Sequence, residues 1–212
     1  MKKEIFNDYA PLFAAITPNC MREVYQETVK HMYGSIVDCG SGPCKLAPRL
    51  LHAPNFLHYH GIDYSREMVA LGQQLLSRLK DSRVTVQCES IDNLRGEYDC
   101  AVSLQSYYAW PNHAKALTSI HKCLVTGGKF VLGTANKQLD IEWLLSQESV
   151  DWMIHPLWDD YVKHNRQIAK ERSGRFDELD ELIGELRGIG FSVLNAHTDF
   201  YNGGLNYVVC MK

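Results

Sequence analysis

The chain has 212 residues, 45% apolar and 22% charged, enough for one folded domain with a lid but not comfortably for two. A net charge of −3, with lysines and arginines scattered, offers no basic field, so a nucleic-acid substrate is disfavoured. No apolar run approaches the roughly 20 residues of a membrane span, and no signal-peptide core follows Met1-Lys2-Lys3-Glu4, so no membrane partner and a cytoplasmic location are expected. Seven cysteines without C-x-x-C spacing read as reduced thiols, and no metal site is expected.

The N-terminal segment 1–33 carries Phe6, Tyr9 and Phe13, then a helix expected from Met21 to His31. From residue 34 short β-rich runs alternate with helical patterns, the signature of βαβ units. Strands are expected at 35–39, 58–63, 84–88, 99–104 and 129–133. The first ends at a glycine turn, and a short helix over 46–51 tolerates Pro48 only in its opening turn. Ser65 is placed to cap a helix whose apolar stripe includes Met68, Val69, Leu75, Leu76 and Leu79. Helical spacing recurs from His113 to Cys123, and Thr126-Gly127-Gly128 is read as the turn before strand five.

The connection 136–175 is too long for a plain loop and is expected to form lid helices of its own. A helix over 176–186 follows, capped at or just before Asp177 and closed by Gly190. The last two strands, 191–194 and 205–210, are joined so closely that they should pair antiparallel. The expected architecture is a single α/β domain over 1–212: a Rossmann-like, seven-stranded, mostly parallel sheet with an antiparallel C-terminal hairpin and helices on both faces. Its parts are an N-terminal lid (1–33), a cofactor-binding core (34–135), a lid insertion (136–175) and a closing helix with the hairpin (176–212).

Asp38-Cys39-Gly40-Ser41-Gly42-Pro43-Cys44 joins the first strand to its helix. Gly40 and Gly42 allow a tight turn and close approach of backbone to a ligand. Asp63, at the end of the second strand, is an acid suited to accept both hydroxyl protons of a ribose. Together they indicate an adenosine-type cofactor. The third glycine of the dinucleotide fingerprint is replaced by Lys45, which disfavours nicotinamide and flavin cofactors.

Ile36 to Cys44 resembles the first motif of class I S-adenosylmethionine-dependent methyltransferases, and Gly61 to Met68 is similar to their second. Leu124 to Leu132 resembles the turn that precedes strand five in that family, with Thr126 in the usual proline position. The resemblance implies S-adenosylmethionine as cofactor and methyl transfer to a small-molecule acceptor through an O, N or C atom. It implies that Asp38 orients the loop and the cofactor's amino end, that Asp63 holds the ribose, and that Tyr64 and Met68 lie against ribose or adenine. Ser90 and Ile91 are placed at the adenine, and Gln105 beside the methionine part.

The segment after strand four opens on the carboxyl edge of the sheet, where Tyr107, Tyr108 and Trp110 are candidates for the acceptor wall. Tyr9 and His155 are candidates from the two lids. Methyl transfer needs alignment more than a catalytic side chain, and His113 is the candidate base for a protonated acceptor. Competing readings are another S-adenosylmethionine-using reaction (a cyclase or aminoalkyl transferase) and a non-catalytic cofactor-binding module.

Overall fold

The structure, a computed structural model, describes residues 4–212; Met1, Lys2 and Lys3, read above for targeting, lie outside it. Seven strands form one sheet: β1 (Ser35–Cys39), β2 (His58–Asp63), β3 (Val84–Cys88), β4 (Tyr98–Leu104), β5 (Leu124–Ala135), β6 (Ser192–His197) and β7 (Leu205–Met211). Their order is β3-β2-β1-β4-β5-β7-β6. β1 to β5 are parallel, and β7 is antiparallel to both its neighbours. The chain winds outward from β1 to β3, then returns to lay β4 on the other side of β1. That reversal leaves a crevice beyond the carboxyl ends of β1 and β4, where ligands bind in sheets of this kind.

Strand residues alternate between two cores, as the two-residue strand period requires. Ile36, Cys100, Val102, Val131, Tyr207 and Val209 face α2 (Asn19–Val29), α3 (Ala47–Leu50) and α4 (Arg66–Leu79). Val37, Ala101, Phe130, Leu132, Val208 and Cys210 face α5 (His113–Cys123) and α9 (Leu179–Ile189). A third apolar cluster covers the carboxyl edge. It joins α1 (Glu4–Ala15) to α8 (Trp158–Arg172) through Tyr9, Leu12, Ile16, Trp158, Tyr161 and Ile168. The connection from β5 to α8 adds α6 (Ile141–Ser146) and α7 (Val150–Met153), the helical insertion anticipated there. None of the described helices is long and apolar enough to cross a membrane.

Boundaries differ from expectation where tertiary bonds override local pattern. α2 starts at Asn19, behind Pro18 as its N-cap, and ends at Val29. β5 begins at Leu124 because Gly127 and Gly128 exchange backbone bonds with Lys212, so the glycines sit in a continuous strand instead of breaking it. α9 starts at Leu179 because Glu178 and Glu181 form a reciprocal capping box. The Asp177 carbonyl instead accepts from Asn206 Nδ2 at 2.9 Å. β6 continues to His197, three residues beyond the expected 191–194, because Asn195, Ala196 and His197 pair with β7.

Ser65 joins core to lid: its Oγ accepts from Met68 N at 3.2 Å, capping α4, and donates to Asn7 Oδ1 on α1 at 3.0 Å. Ser65→Ala is expected to cost about 1 kcal/mol, seen as a fall of about 2–4 °C in melting temperature. A fall under about 1 °C would show that α4 does not depend on this cap.

Candidate active site

The turn after β1 is held from two sides. Gly40 N and Ser41 N donate to Ile62 O at 2.8 and 3.0 Å, tying the turn to β2. Gly42 N donates to Asp63 Oδ2 and Ser65 N to Asp63 Oδ1, each at 2.8 Å. Asp63 therefore fastens the turn to the start of α4. Burial pushes its carboxyl up, and the backbone N–H groups of Ser65, Gly42 and Tyr64 pull it back towards the ionised form. Gly40 sits at φ +79, and a Cβ there would meet Ser106 Oγ at 2.3 Å. No side chain fits that position, so backbone lines the crevice.

Ser106 fixes the opposite wall. Its Oγ donates to Cys39 O at 2.8 Å, lies 2.7 Å from Ser103 Oγ, and accepts from Trp110 Nε1 at 3.1 Å. Gln105 beside it is a non-glycine residue at φ +58. Its N donates to Gly133 O at 2.7 Å and its Oε1 accepts from Ala135 N at 3.1 Å, so the unusual conformation is held by bonds to the end of β5.

Between these walls and the lid lies a cavity of about 590 Å³, within the size range of ligand sites. Of the anticipated cofactor residues, Gly40, Gly42, Asp63, Tyr64, Met68, Ser90, Ile91 and Gln105 line it. Of the anticipated acceptor residues, Tyr9, Tyr108 and Trp110 do so. Met68 is buried, whereas Tyr64 is 53% exposed at the rim. Ser90 Oγ accepts from Asp92 N at 3.4 Å, starting a helical turn that brings Glu89, Ile91 and Asp92 to the same end.

Four anticipated residues lie off the cavity wall. Asp38 is buried beneath the turn, where its Oδ2 accepts from Tyr59 OH at 2.8 Å. Tyr107 turns into the core beside α5 and α9, donating its hydroxyl to Glu185. His113 packs on the Tyr107 ring at 3.9 Å between centroids, with Arg175 Nη2 at 3.4 Å and a Glu185 oxygen at 4.0 Å. Burial lowers its pKa despite Glu185, and Arg175 lowers it further. His113, Asp177 and Glu185 bring one ligand atom each within 4.8 Å of one another, and Arg175 Nη2 lies at 3.4 Å from His113 Nε2 in the same cluster. His155 is used locally, its Nδ1 accepting from Leu157 N at 3.2 Å just before α8.

Other lining residues were not anticipated: Cys20, Glu148, Tyr161, Asn165 and Tyr201. They come from α2, the α6–α7 link, α8 and the β6–β7 connection, so only the folded chain assembles them. Tyr201 carried one signal, its place just before the Asn202-Gly203-Gly204 turn, and it adopts φ +57. Lys45 also has a use that the sequence did not reveal. Its Nζ donates to Ile16 O and lies 4.5 Å from the Phe13 ring centre, pinning the end of α1 over the glycine turn. Burial, with Arg49 and Arg22 nearby, pushes its pKa down to about 7.

Burial pushes the Asp38 carboxyl up to about 7, against the bond from Tyr59 and with a further push from Asp63. A carboxyl whose folded pKa exceeds its unfolded value of about 3.9 favours the fold most at low pH and loses that contribution as pH rises to about 7. Asp38→Asn should therefore gain stability relative to wild type between pH 5 and pH 8, by no more than roughly 4 kcal/mol. Denaturant unfolding at both pH values checks this. A difference independent of pH would mean that Asp38 stays ionised throughout.

The profile of the methyltransferase-domain family matches residues 13–196. The uncharacterised methyltransferase YdaC of Bacillus subtilis (strain 168) is 28% identical over 109 residues, a stretch spanning 50% of this chain and 59% of that protein. Among solved structures, an S-adenosylmethionine-dependent methyltransferase from Aquifex aeolicus superposes with a TM-score of 0.66 at 12% identity, covering 92% of this chain and 89% of its own. The N-methyltransferase NodS of Bradyrhizobium japonicum WM9, solved with S-adenosyl-l-homocysteine, superposes with a TM-score of 0.63 at 13% identity, covering 92% and 88%. At such identities the two structures speak for the fold, while the profile reaches across both halves of the sheet and most of the lid. On that match the chain belongs to the methyltransferase-domain family, the class I enzymes whose cofactor is S-adenosylmethionine.

Proposed function

We propose that this chain methylates a small molecule enclosed between the sheet edge and the helical lid. The observation that carries the reading is the Asp63 clasp, which sets the two glycines of the turn and a preoriented carboxylate on the wall of one cavity. In this reading Asp63 holds the ribose hydroxyls, and Gly40 and Gly42 give the methionine part access to backbone. Met68 and Tyr64 flank ribose or adenine, Ser90 and Ile91 border the adenine, and Gln105 stands beside the methionine part. Asp38 acts from below the turn, through its place at the end of β1.

The cofactor supplies an activated methyl group on a sulfonium. The protein's task is then to align an acceptor, exclude water and hold charge. Tyr9 and Tyr108, both buried, close the cavity from α1 and from the loop after β4, and Trp110 is fixed by Ser106. His113 is not carried forward as a base, because its ring lies in the cluster with Tyr107, Arg175 and Glu185. The enclosed volume favours a small molecule over a macromolecular acceptor.

Calorimetric titration with S-adenosylmethionine, S-adenosylhomocysteine and NAD tests the reading. Micromolar binding of the first two and none of NAD is expected. Asp63→Ala should weaken the sulfur compounds by about 1–3 kcal/mol, the cost of losing charge-assisted hydrogen bonds. Unchanged affinity in a folded Asp63→Ala protein would remove the ribose assignment.

A further inference from the structure

The lid side of the cavity has a composition that selects among acceptors. Past Gln105 it is walled mainly by rings and aliphatic side chains, with Cys20 and Asn165 among them. Tyr9 stacks on Phe13 and Tyr161 at 5.4 and 6.0 Å, Tyr108 meets Phe176 edge-on at 5.5 Å, and Leu144 and Ile168 fill between. Into this apolar wall projects one carboxylate, Glu148, only 7% exposed. The other acids along the cavity belong to the opposite end. Asp63 is bound to the glycine turn, Asp92 pairs with Lys115 at 3.2 Å, and Glu89 is half-buried beside Ser90. Among the described residues that line the cavity there is no lysine, arginine or histidine.

Both oxygens of Glu148 accept from Asn19 N, at 3.1 and 3.0 Å, at the first residue of α2. That bond explains how the α6–α7 link is fastened to α2. The backbone and side chain of Cys20 also bond to this carboxylate, and Arg22 lies near it. Of the roughly four acceptor sites of an ionised carboxylate, only those turned to the cavity remain for a ligand N–H. Burial pushes the Glu148 carboxyl up, while the N–H groups at the start of α2 and the nearby Arg22 pull it back towards the ionised form, so a carboxylate is held at the edge of a mostly apolar wall. An anionic ligand there would bring a second negative charge with no cation on the described wall to offset it. An ammonium would gain a carboxylate partner and the faces of aromatic rings.

We infer that the methyl acceptor is an apolar amine, with its nitrogen against Glu148 and its hydrocarbon part among Tyr161, Leu144 and Ile168. This rests on the methyl-transfer reading proposed above. Glu148 holds the amine as it enters protonated and accepts that proton to free the lone pair. The N–CH3 bond then forms as the C–S bond breaks, the electron pair going to sulfur and the positive charge passing to the methylated nitrogen.

Three probes of one skeleton test the inference: phenethylamine, phenethyl alcohol and phenylpropanoate, titrated calorimetrically into protein saturated with S-adenosylhomocysteine. The amine should bind at least about tenfold more tightly than the alcohol, and the carboxylate should bind least. Glu148→Gln should erase the preference for the amine, and Glu148→Asp should keep part of it. Unchanged affinity of both variants for S-adenosylhomocysteine and for the alcohol would show that the lid is intact. Tighter binding of the carboxylate, no preference for the amine, or a preference that survives Glu148→Gln would overturn the inference and leave the cofactor reading standing. Failure of S-adenosylhomocysteine to bind wild type would instead remove that reading, and the inference with it.

Discussion

The Asp63 carboxylate accepts one N–H from the glycine turn and another from the start of α4, and those two bonds set the geometry of everything around the cavity. They join the ends of β1 and β2 beside the crevice between β1 and β4 where the strand order reverses, and they hold the start of the helix α4 that carries Met68 to the cavity. Because the acid already accepts from backbone on both oxygens, its orientation is set before any ligand arrives. A preoriented group loses little conformational freedom on binding. The same clasp explains the tolerance of tight backbone nearby: Gly40, Gly42 and Cys44 all have positive φ and all lie in the segment it secures.

Two further fastenings hold the lid over this edge. Lys45 reaches from the turn to the Ile16 carbonyl just after α1, and Glu148 reaches from the insertion to the first N–H of α2. Both are ionisable groups in buried surroundings bonded to backbone, and Glu148 also lies near Arg22. Such contacts give position more than stability, because desolvating the charge consumes much of what the bond returns. The lid is thus registered on the glycine turn at one end and on the insertion at the other, with the aromatic stack of Tyr9, Phe13 and Tyr161 between.

Much of this was legible in the sequence, for identifiable reasons. The strand runs are short and bounded by glycine and polar residues, and Ser35–Cys39, His58–Asp63 and Val84–Cys88 fall where the pattern placed them. The turn side of the cavity is local in sequence: Gly40, Gly42, Asp63 and Met68 lie within two motifs at the ends of neighbouring strands. The lid side is not local. Glu148, Tyr161 and Tyr201 are drawn from segments separated by tens of residues, and nothing in a one-dimensional pattern says that they meet. Histidine chemistry misled for a related reason. His113 opens a helix beside the cavity, but its ring is taken up by Tyr107 and Arg175, partners visible only after folding. Lys45 misled in part: it reads as an obstacle to packing, whereas a turn at Cys44 aims it at the lid.

The central claim is that the clasped turn and Asp63 hold S-adenosylmethionine at the carboxyl edge of β1 and β2. A crystal structure of the protein with S-adenosylhomocysteine tests it most directly. The account predicts ribose hydroxyls within hydrogen-bond reach of Asp63, the methionine part over Gly40 and beside Gln105, and the sulfur facing the lid side of the cavity. Ribose bound away from Asp63, or a ligand seated outside the cavity, would contradict it.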